Sequence, residues 1–215
     1  MSKDIYILGA GGFAKEVLHL INEINQVNCD EYSFKGFIDR EEEQEVIGSQ
    51  SFPIYAEDKL INSINSEENL HFAIGVGSPE LIEKLSSKFK PYGTFPNLIH
   101  PNFTGNLDDI VLGEGNIITA GNSFTTSIKI NSFNIFNLNC TLGHDSIIES
   151  YNVINPGVNI SGGVFLGNKS LIGTGAKILQ YINITDDTII GAGSVVVKSI
   201  IESGTYVGIP AKKIR

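Results

Sequence analysis

Residues 142–147 read Leu-Gly-His-Asp-Ser-Ile, so one imidazole, His144, is followed directly by one carboxylate, Asp145. A histidine beside a carboxylate can take a proton from a reacting group near neutral pH, because the carboxylate orients the ring and raises its basicity. Adjacent strand residues point to opposite faces, so this pair can cooperate only if the chain turns a corner between them. Cys140, four residues earlier, invites a Cys/His nucleophile reading. A catalytic thiolate needs an accessible, polarising site, and no Ser or Cys here stands in a nucleophile-elbow pattern. The other histidines, His19, His71 and His100, lie far from His144 in sequence, and Cys29 and Cys140 show no metal-type spacing, so no metal is expected.

A second chemical feature lies near the start. Gly9-Ala10-Gly11-Gly12 follows the apolar run Ile5–Leu8 and precedes a helical pattern with Val17, Leu20, Ile21 and Ile24 on one face. A strand, a glycine-rich turn and a helix together aim backbone N–H groups and a helix N-terminus at a phosphate. The last glycine of the full dinucleotide fingerprint is missing, and such a turn serves as often as a plain strand–helix connection. Asp39 closes the next strand pattern, Phe34–Asp39, at the end that borders a ligand crevice in parallel sheets. A carboxylate there suits a ribose or base edge, or equally a solvated strand end.

The element that must position His144 is a repeat. From Leu112 to Ile201 the chain divides into fifteen six-residue units without a slip, with Leu112, Ile118, Phe124, Ile130, Phe136, Leu142 and their successors to Val196 all large and apolar at the first position. The fifth position is mostly small or short, as in Cys140, Ser146, Val158, Ser170 and Ala176. A period of six is neither helical nor that of a plain strand; it is the hexapeptide repeat of a parallel β-helix. Three units close one triangular coil, giving five coils and a prism about 24 Å tall at a strand spacing of about 4.8 Å. First and fifth positions face inward, which places Cys140 inside, while third positions such as His144 face outward. Residues eighteen apart stack, so Gly162 lies beside His144, leaving open space and an approachable N–H, and Asn137 stacks over Asn155.

The chain has 215 residues, enough for two modest domains, with 41% hydrophobic and 18% charged residues. A net charge of −9 offers no electrostatic footprint for nucleic acid or an anionic membrane. No apolar run approaches a membrane span and no signal-peptide pattern opens the chain, so a cytoplasmic, reducing compartment is expected. In the first part, residues 40–51 read as an acidic loop, Tyr55–Ile64 as a helix, Asn69–Gly77 as a buried strand, Pro79–Phe89 as a helix and Asn97–Ile99 as a last strand. The expected division is a small Rossmann-like parallel α/β domain over residues 1–98, able to hold one nucleotide, and a β-helix with a C-terminal tail over 99–215.

In order, Gly9-Ala10-Gly11-Gly12, Gly36-Phe37-Ile38-Asp39, Ala73-Ile74-Gly75, His144-Asp145, Pro156-Gly157, Ile190–Val196 and Gly208-Ile209-Pro210-Ala211-Lys212 resemble the bacterial sugar acetyltransferases of the NeuD/PglD type nearly end to end. That resemblance implies a left-handed coil, an exception to the usual crossover hand. It also implies a homotrimer, acetyl-CoA as co-substrate and a role in surface polysaccharide biosynthesis. By position it makes His144 the general base, Asp145 its supporting carboxylate and Asn137 a residue lining the site. Gly162, Thr174 and Ala192 match positions that touch acetyl-CoA, Thr174 and Ala192 stacking in one column, and the basic tail with Lys212 matches a clamp on the phosphorylated cofactor. Gly11, Gly12, Asp39 and Gly75 match the nucleotide-sugar pocket. Phe13 stands where many members have His, Arg40 where some have Asp, Val153 where some have a His beside the acetyl group, and Gly143 where some have an acidic residue. The implied reaction is direct acetyl transfer to the amino group of a nucleotide-linked amino sugar. The alternatives are O-acetylation of sialic acid or a related sugar, and a non-catalytic sugar-nucleotide-binding scaffold.

Overall fold

The computed structural model describes residues 2–47, 50–64 and 70–215, with 44–47 and 50 as backbone. The first domain is a six-stranded sheet built from β1 (Lys3–Leu8), α1 (Gly12–Asn28), β2 (Tyr32–Asp39), β3 (Glu43–Ile47), β4 (Gln50–Ala56), α2 (Glu57–Ser63), β5 (Leu70–Ile74), α3 (Pro79–Phe89) and β6 (Gly93–Thr94). The strand order is β3-β4-β2-β1-β5-β6, parallel except for the β3–β4 pair. Parallel strands covered on both faces are apolar throughout, and all five residues of β5 are buried. Helix α1 buries Ala14, Val17, Leu18, Leu20, Ile21 and Ile24 against the sheet. Gly75 allows this packing: a Cβ on it would stand 2.6 Å from Ile7 Cγ2 and 2.8 Å from the Cβ of Ala14.

Two expectations change here. The segment 40–51, expected as a loop, contains strand instead, because β3 (Glu43–Ile47) and β4 (Gln50–Ala56) pair antiparallel on the sheet edge. The helix expected from Tyr55 begins at Glu57, since Tyr55 and Ala56 still pair with Ile38 and Asp39. Backbone pairing to β2 outweighs local helix propensity at those two positions. Asn69, the expected start of the third strand, lies outside the described residues.

The repeat is a triangular solenoid. Ile117–Ile118, Ile135–Phe136, Val153–Ile154, Leu171–Ile172 and Thr188–Ile190 stack on one face. Ser123–Phe124, Thr141–Leu142, Asn159–Ile160, Lys177–Ile178 and Val195–Val196 form the second face. Ile110–Leu112, Ile128–Ile130, Ile147–Ile148, Phe165–Leu166 and Asn183–Ile184 form the third. The pairing is parallel and eighteen residues in register, as in Phe124↔Leu142, Ile130↔Ile148 and Phe136↔Ile154. The first-position side chains fill the axis, all buried but the half-buried Leu112 at the open end. The strand Leu98–Ile99 pairs with Ile117–Ile118 and so belongs to the first face rather than to the α/β sheet. At the other end Gly204–Val207 continues that face and turns back as a hairpin with Lys212–Lys213.

The fifth position carries more than small residues at the corner between the third and first faces. Asn116, Asn134 and Asn152 are fully buried there, and each side-chain oxygen accepts from the coil above. Asn116 Oδ1 accepts from Asn134 N at 2.9 Å and Nδ2 at 3.2 Å, and Asn134 Oδ1 from Asn152 N at 3.0 Å and Nδ2 at 3.1 Å. The ladder starts at Asn97, whose Oδ1 accepts from Asn116 N at 2.8 Å, and ends through Ser170 and Thr188. The fifth-position amides of this corner bond to no backbone carbonyl, so these side chains satisfy groups that would otherwise be buried and unpaired.

The domains share a core. Phe95, Leu98, Ile117, Phe133, Ile135 and Val153 are buried in one cluster with residues of β1, α1 and β5. Phe95 meets Phe133 edge-on at 5.1 Å, and Phe133 stacks on Tyr151 at 5.7 Å. Asn134→Leu is expected to cost about 1–3 kcal/mol by stranding the Asn152 donors, a fall of several degrees in Tm measured by thermal denaturation. The exposed Gln180→Ala should leave Tm near the wild-type value.

Candidate active site

His144 and Asp145 occupy the corner between the second and third faces. Asp145 has φ +57° and its N–H donates to Thr126 O at 3.2 Å. The left-handed turn brings its carboxylate back onto the ring instead of across the sheet, and His144 Nδ1 lies 2.7 Å from Asp145 Oδ2. With the carboxylate accepting, Nδ1 is the donor, and whenever the ring is neutral its lone pair falls on Nε2. Both side chains are open to solvent, 51% and 65% exposed.

Gly162 does stack beside His144, but the space above it is not open. The imidazole lies on it: a Cβ at Gly162 would stand 2.6 Å from Nε2 and 2.8 Å from Cε1, and the residue is buried. The ring folds one coil up the stack because nothing but glycine lies there. Gly143 is equally constrained, since a Cβ on it would stand 2.4 Å from Gly162 N. An acidic side chain at 143 would force the coils apart.

A second group lies on another corner, between the first and second faces. Asn137, Thr174 and Ala192 sit there, beside Gly157, Gly175 and Gly193, where an added Cβ would meet nothing within 4 Å. The result is a smooth, unobstructed edge rising to the C-terminal hairpin, which bonds over it through Gly208 N to Ser194 Oγ and Ala211 N to Val195 O. Lys212 is exposed on that hairpin. Asn137 Oδ1 accepts from Leu138 N at 2.9 Å, within its own turn. One chain therefore does not bring Asn137, Thr174, Ala192 and Lys212 to His144. Cys140 lies beneath this corner, 1% exposed, with Sγ 3.2 Å from Asn155 O. Burial pushes its thiol up to about 11, the opposite of an activated nucleophile. Val153, at the position of a second histidine in some relatives, is buried in the core between the domains.

The glycine-rich turn forms a third group. Gly9 has φ +106°, which only glycine adopts without strain, and α1 starts at Gly12 with no side-chain cap. A Cβ on Gly11 or Gly12 would meet nothing within 4 Å, so this backbone is approachable. Asp39 Oδ2 accepts from Ala10 N at 3.1 Å and Oδ1 from Arg40 N at 2.7 Å. A cleft of about 440 Å³ opens here, lined by Ala10, Gly11, Asp39 and Arg40 together with Glu41, Glu43 and Ile54. The last three come with the β3–β4 hairpin, which reading the segment as a loop concealed. Phe13 packs on the domain core and Gly75 is buried under α1, so neither faces this cleft.

A further cavity of about 350 Å³ lies between the domains, lined by Glu16, His19, Leu20, Glu23, His100, Thr119, Ala120 and Leu138. His100 Nε2 stands 2.8 Å and His19 Nε2 3.3 Å from Glu23 Oε2. No local pattern marks it, since it exists only once the domains dock. Among the described residues no cluster of His, Cys, Asp or Glu could hold a metal ion, and no helix is long and apolar enough to cross a membrane.

The α/β domain followed by a stacked hexapeptide prism is the architecture of two-domain hexapeptide-repeat acyltransferases. Residues 4–89 match the PglD N-terminal domain family. A perosamine N-acetyltransferase from Caulobacter crescentus, solved as a mutant with CoA and GDP-perosamine, superposes with a TM-score of 0.87 at 26% identity over 97% of this chain and 95% of that one. The acetyltransferase domain of PglB from Neisseria gonorrhoeae, solved with acetyl coenzyme A, superposes at 0.89 with 26% identity over 100% of both chains. WeeI from Acinetobacter baumannii gives 0.77 at 26% identity over 98% and 99%. No curated protein sequence matches the chain. The chain is a hexapeptide-repeat sugar acetyltransferase, similar along its whole length to these proteins, and its prism is a left-handed parallel β-helix.

With one thiol exposed and one buried, a maleimide reagent at neutral pH should label Cys29 and spare Cys140 until the protein is denatured, as read by peptide mass.

Proposed function

We propose that this protein transfers the acetyl group of acetyl-CoA directly to the amino group of a nucleotide-linked amino sugar, with His144 as general base. The observation that carries the reading is the 2.7 Å contact of His144 Nδ1 with Asp145, which leaves Nε2 as the nitrogen to take a proton. The acceptor amine attacks the thioester carbonyl and gives its proton to Nε2. The C–S bond breaks, the thiolate leaves and the proton passes on to it or to water. On this reading the amide of Gly162, the glycine that the imidazole covers, donates to the oxyanion. The similarity to a perosamine N-acetyltransferase bound to CoA and GDP-perosamine supports an amine on a nucleotide sugar over a hydroxyl. The cleft at Gly11 and Asp39 suits the nucleotide diphosphate, with N–H groups for phosphate and a carboxylate for the nucleoside.

The smooth glycine edge with Thr174 and Ala192 fits an extended pantetheine arm, and Lys212 above it fits a phosphate. These groups and His144 lie on different corners of one prism, so the complete site forms in the groove between two copies of a homotrimer. Asn137 and the acceptor cleft then come from the copy facing the base.

His144→Ala should lower kcat about 10²-fold for an amine, which attacks unaided once neutral, and nearer 10⁴-fold were the acceptor a hydroxyl. Free-thiol release with saturating acetyl-CoA reads this, and wild-type kcat in the variant would remove His144 from the mechanism. Mixed trimers of His144→Ala and Thr174→Trp chains should recover activity that neither variant has alone. No recovery would place base and cofactor arm on one chain.

A further inference from the structure

Ser127, Asp145, Gly163 and Tyr181 form one column of the His144 corner, with φ of +55°, +57°, +67° and +58°. Left-handed backbone suits Gly, Asn or Asp, and a large aromatic residue adopts it at a cost. Burial does not offset that cost, because Tyr181 is 67% exposed. The ring instead reaches down onto the coil below: a Cβ on Gly163 would stand 2.3 Å from Tyr181 Cδ1 and 2.5 Å from Cε1. His144 reaches up from the opposite side onto Gly162. Two adjacent glycines thus form a floor on which an imidazole and a phenol converge from neighbouring coils.

We infer that Tyr181 is a specificity-determining residue that limits the size of the transferred acyl group. The inference rests on the acetyl-transfer reading. A nucleophile deprotonated at Nε2 must meet the thioester carbonyl within bonding reach, so the acyl carbons lie beside the imidazole that covers Gly162. The ring of Tyr181 covers the adjoining Gly163. An acyl chain longer than acetyl runs into that ring and has to displace it. A glycine at 181 would relax the backbone and clear the space together.

The test is calorimetric binding of acetyl-, propionyl- and butyryl-CoA to the wild-type protein and to Tyr181→Gly and Tyr181→Phe, with Tm confirming that each variant folds. Wild type and Tyr181→Phe should prefer acetyl- over butyryl-CoA by about tenfold or more, and Tyr181→Gly should bring the two within about twofold. In turnover, kcat/KM for butyryl relative to acetyl should rise by about the same factor in Tyr181→Gly. An unchanged ratio in Tyr181→Gly, or no discrimination in the wild type, overturns the inference and leaves acetyl transfer intact. Binding of none of the thioesters by the wild type overturns the acetyl-transfer reading and this inference with it.

Discussion

The requirement that each coil return to the same register after eighteen residues governs this molecule. Parallel pairing satisfies the strands, as in Ile130↔Ile148. At the corners the fourth-position amides bond to the coil below, as in Tyr151 N to Ser132 O, but the fifth-position amides between the third and first faces point inward without a backbone acceptor. The run Asn97, Asn116, Asn134, Asn152 supplies the missing acceptors, one coil to the next. Because the run begins before the repeat, the same bonds tie the first domain's exit strand to the prism. A slip of one residue would put amides into the axis and isoleucines into solvent, which is why the phase holds through fifteen units.

The site is a by-product of that register. Stacking sets a third-position residue above the one eighteen places before it, so a side chain can lie along the stack only where the next coil has no Cβ. Gly162 and Gly163 provide two such places side by side, and rings from above and below use them. The left-handed turn at Asp145 adds the carboxylate at hydrogen-bonding distance. The imidazole, its carboxylate partner and the glycines therefore come from the stacked coils rather than a long loop, which favours a preorganised geometry.

Docking of the first domain has its own logic. Val153, Ile135 and Ile117 point outward from the first face, where a bare prism would expose them, and they are buried because the α/β domain covers them. The ring pair Phe133–Tyr151 and the His100–Glu23 contact extend the junction. Val153 thus serves the shared core and brings no polar group to the junction.

By itself the sequence determined the prism, its phase, the inward position of Cys140, the outward position of His144 and the glycine-rich turn. Each is local or strictly periodic, and a period of six leaves little freedom. It also placed Gly162 beside His144 but took the space above it as open, because a side chain's path along the stack depends on the neighbouring coil. Only the tertiary structure decided that the imidazole covers Gly162, that Gly75 serves packing, and that Glu43–Ile47 and Gln50–Ala56 pair antiparallel at the sheet edge beside the cleft. It alone separated His144 from the Thr174 edge onto different corners. Corner conformation, close approach and domain docking are set by contacts between residues distant in the chain, and no local pattern encodes them.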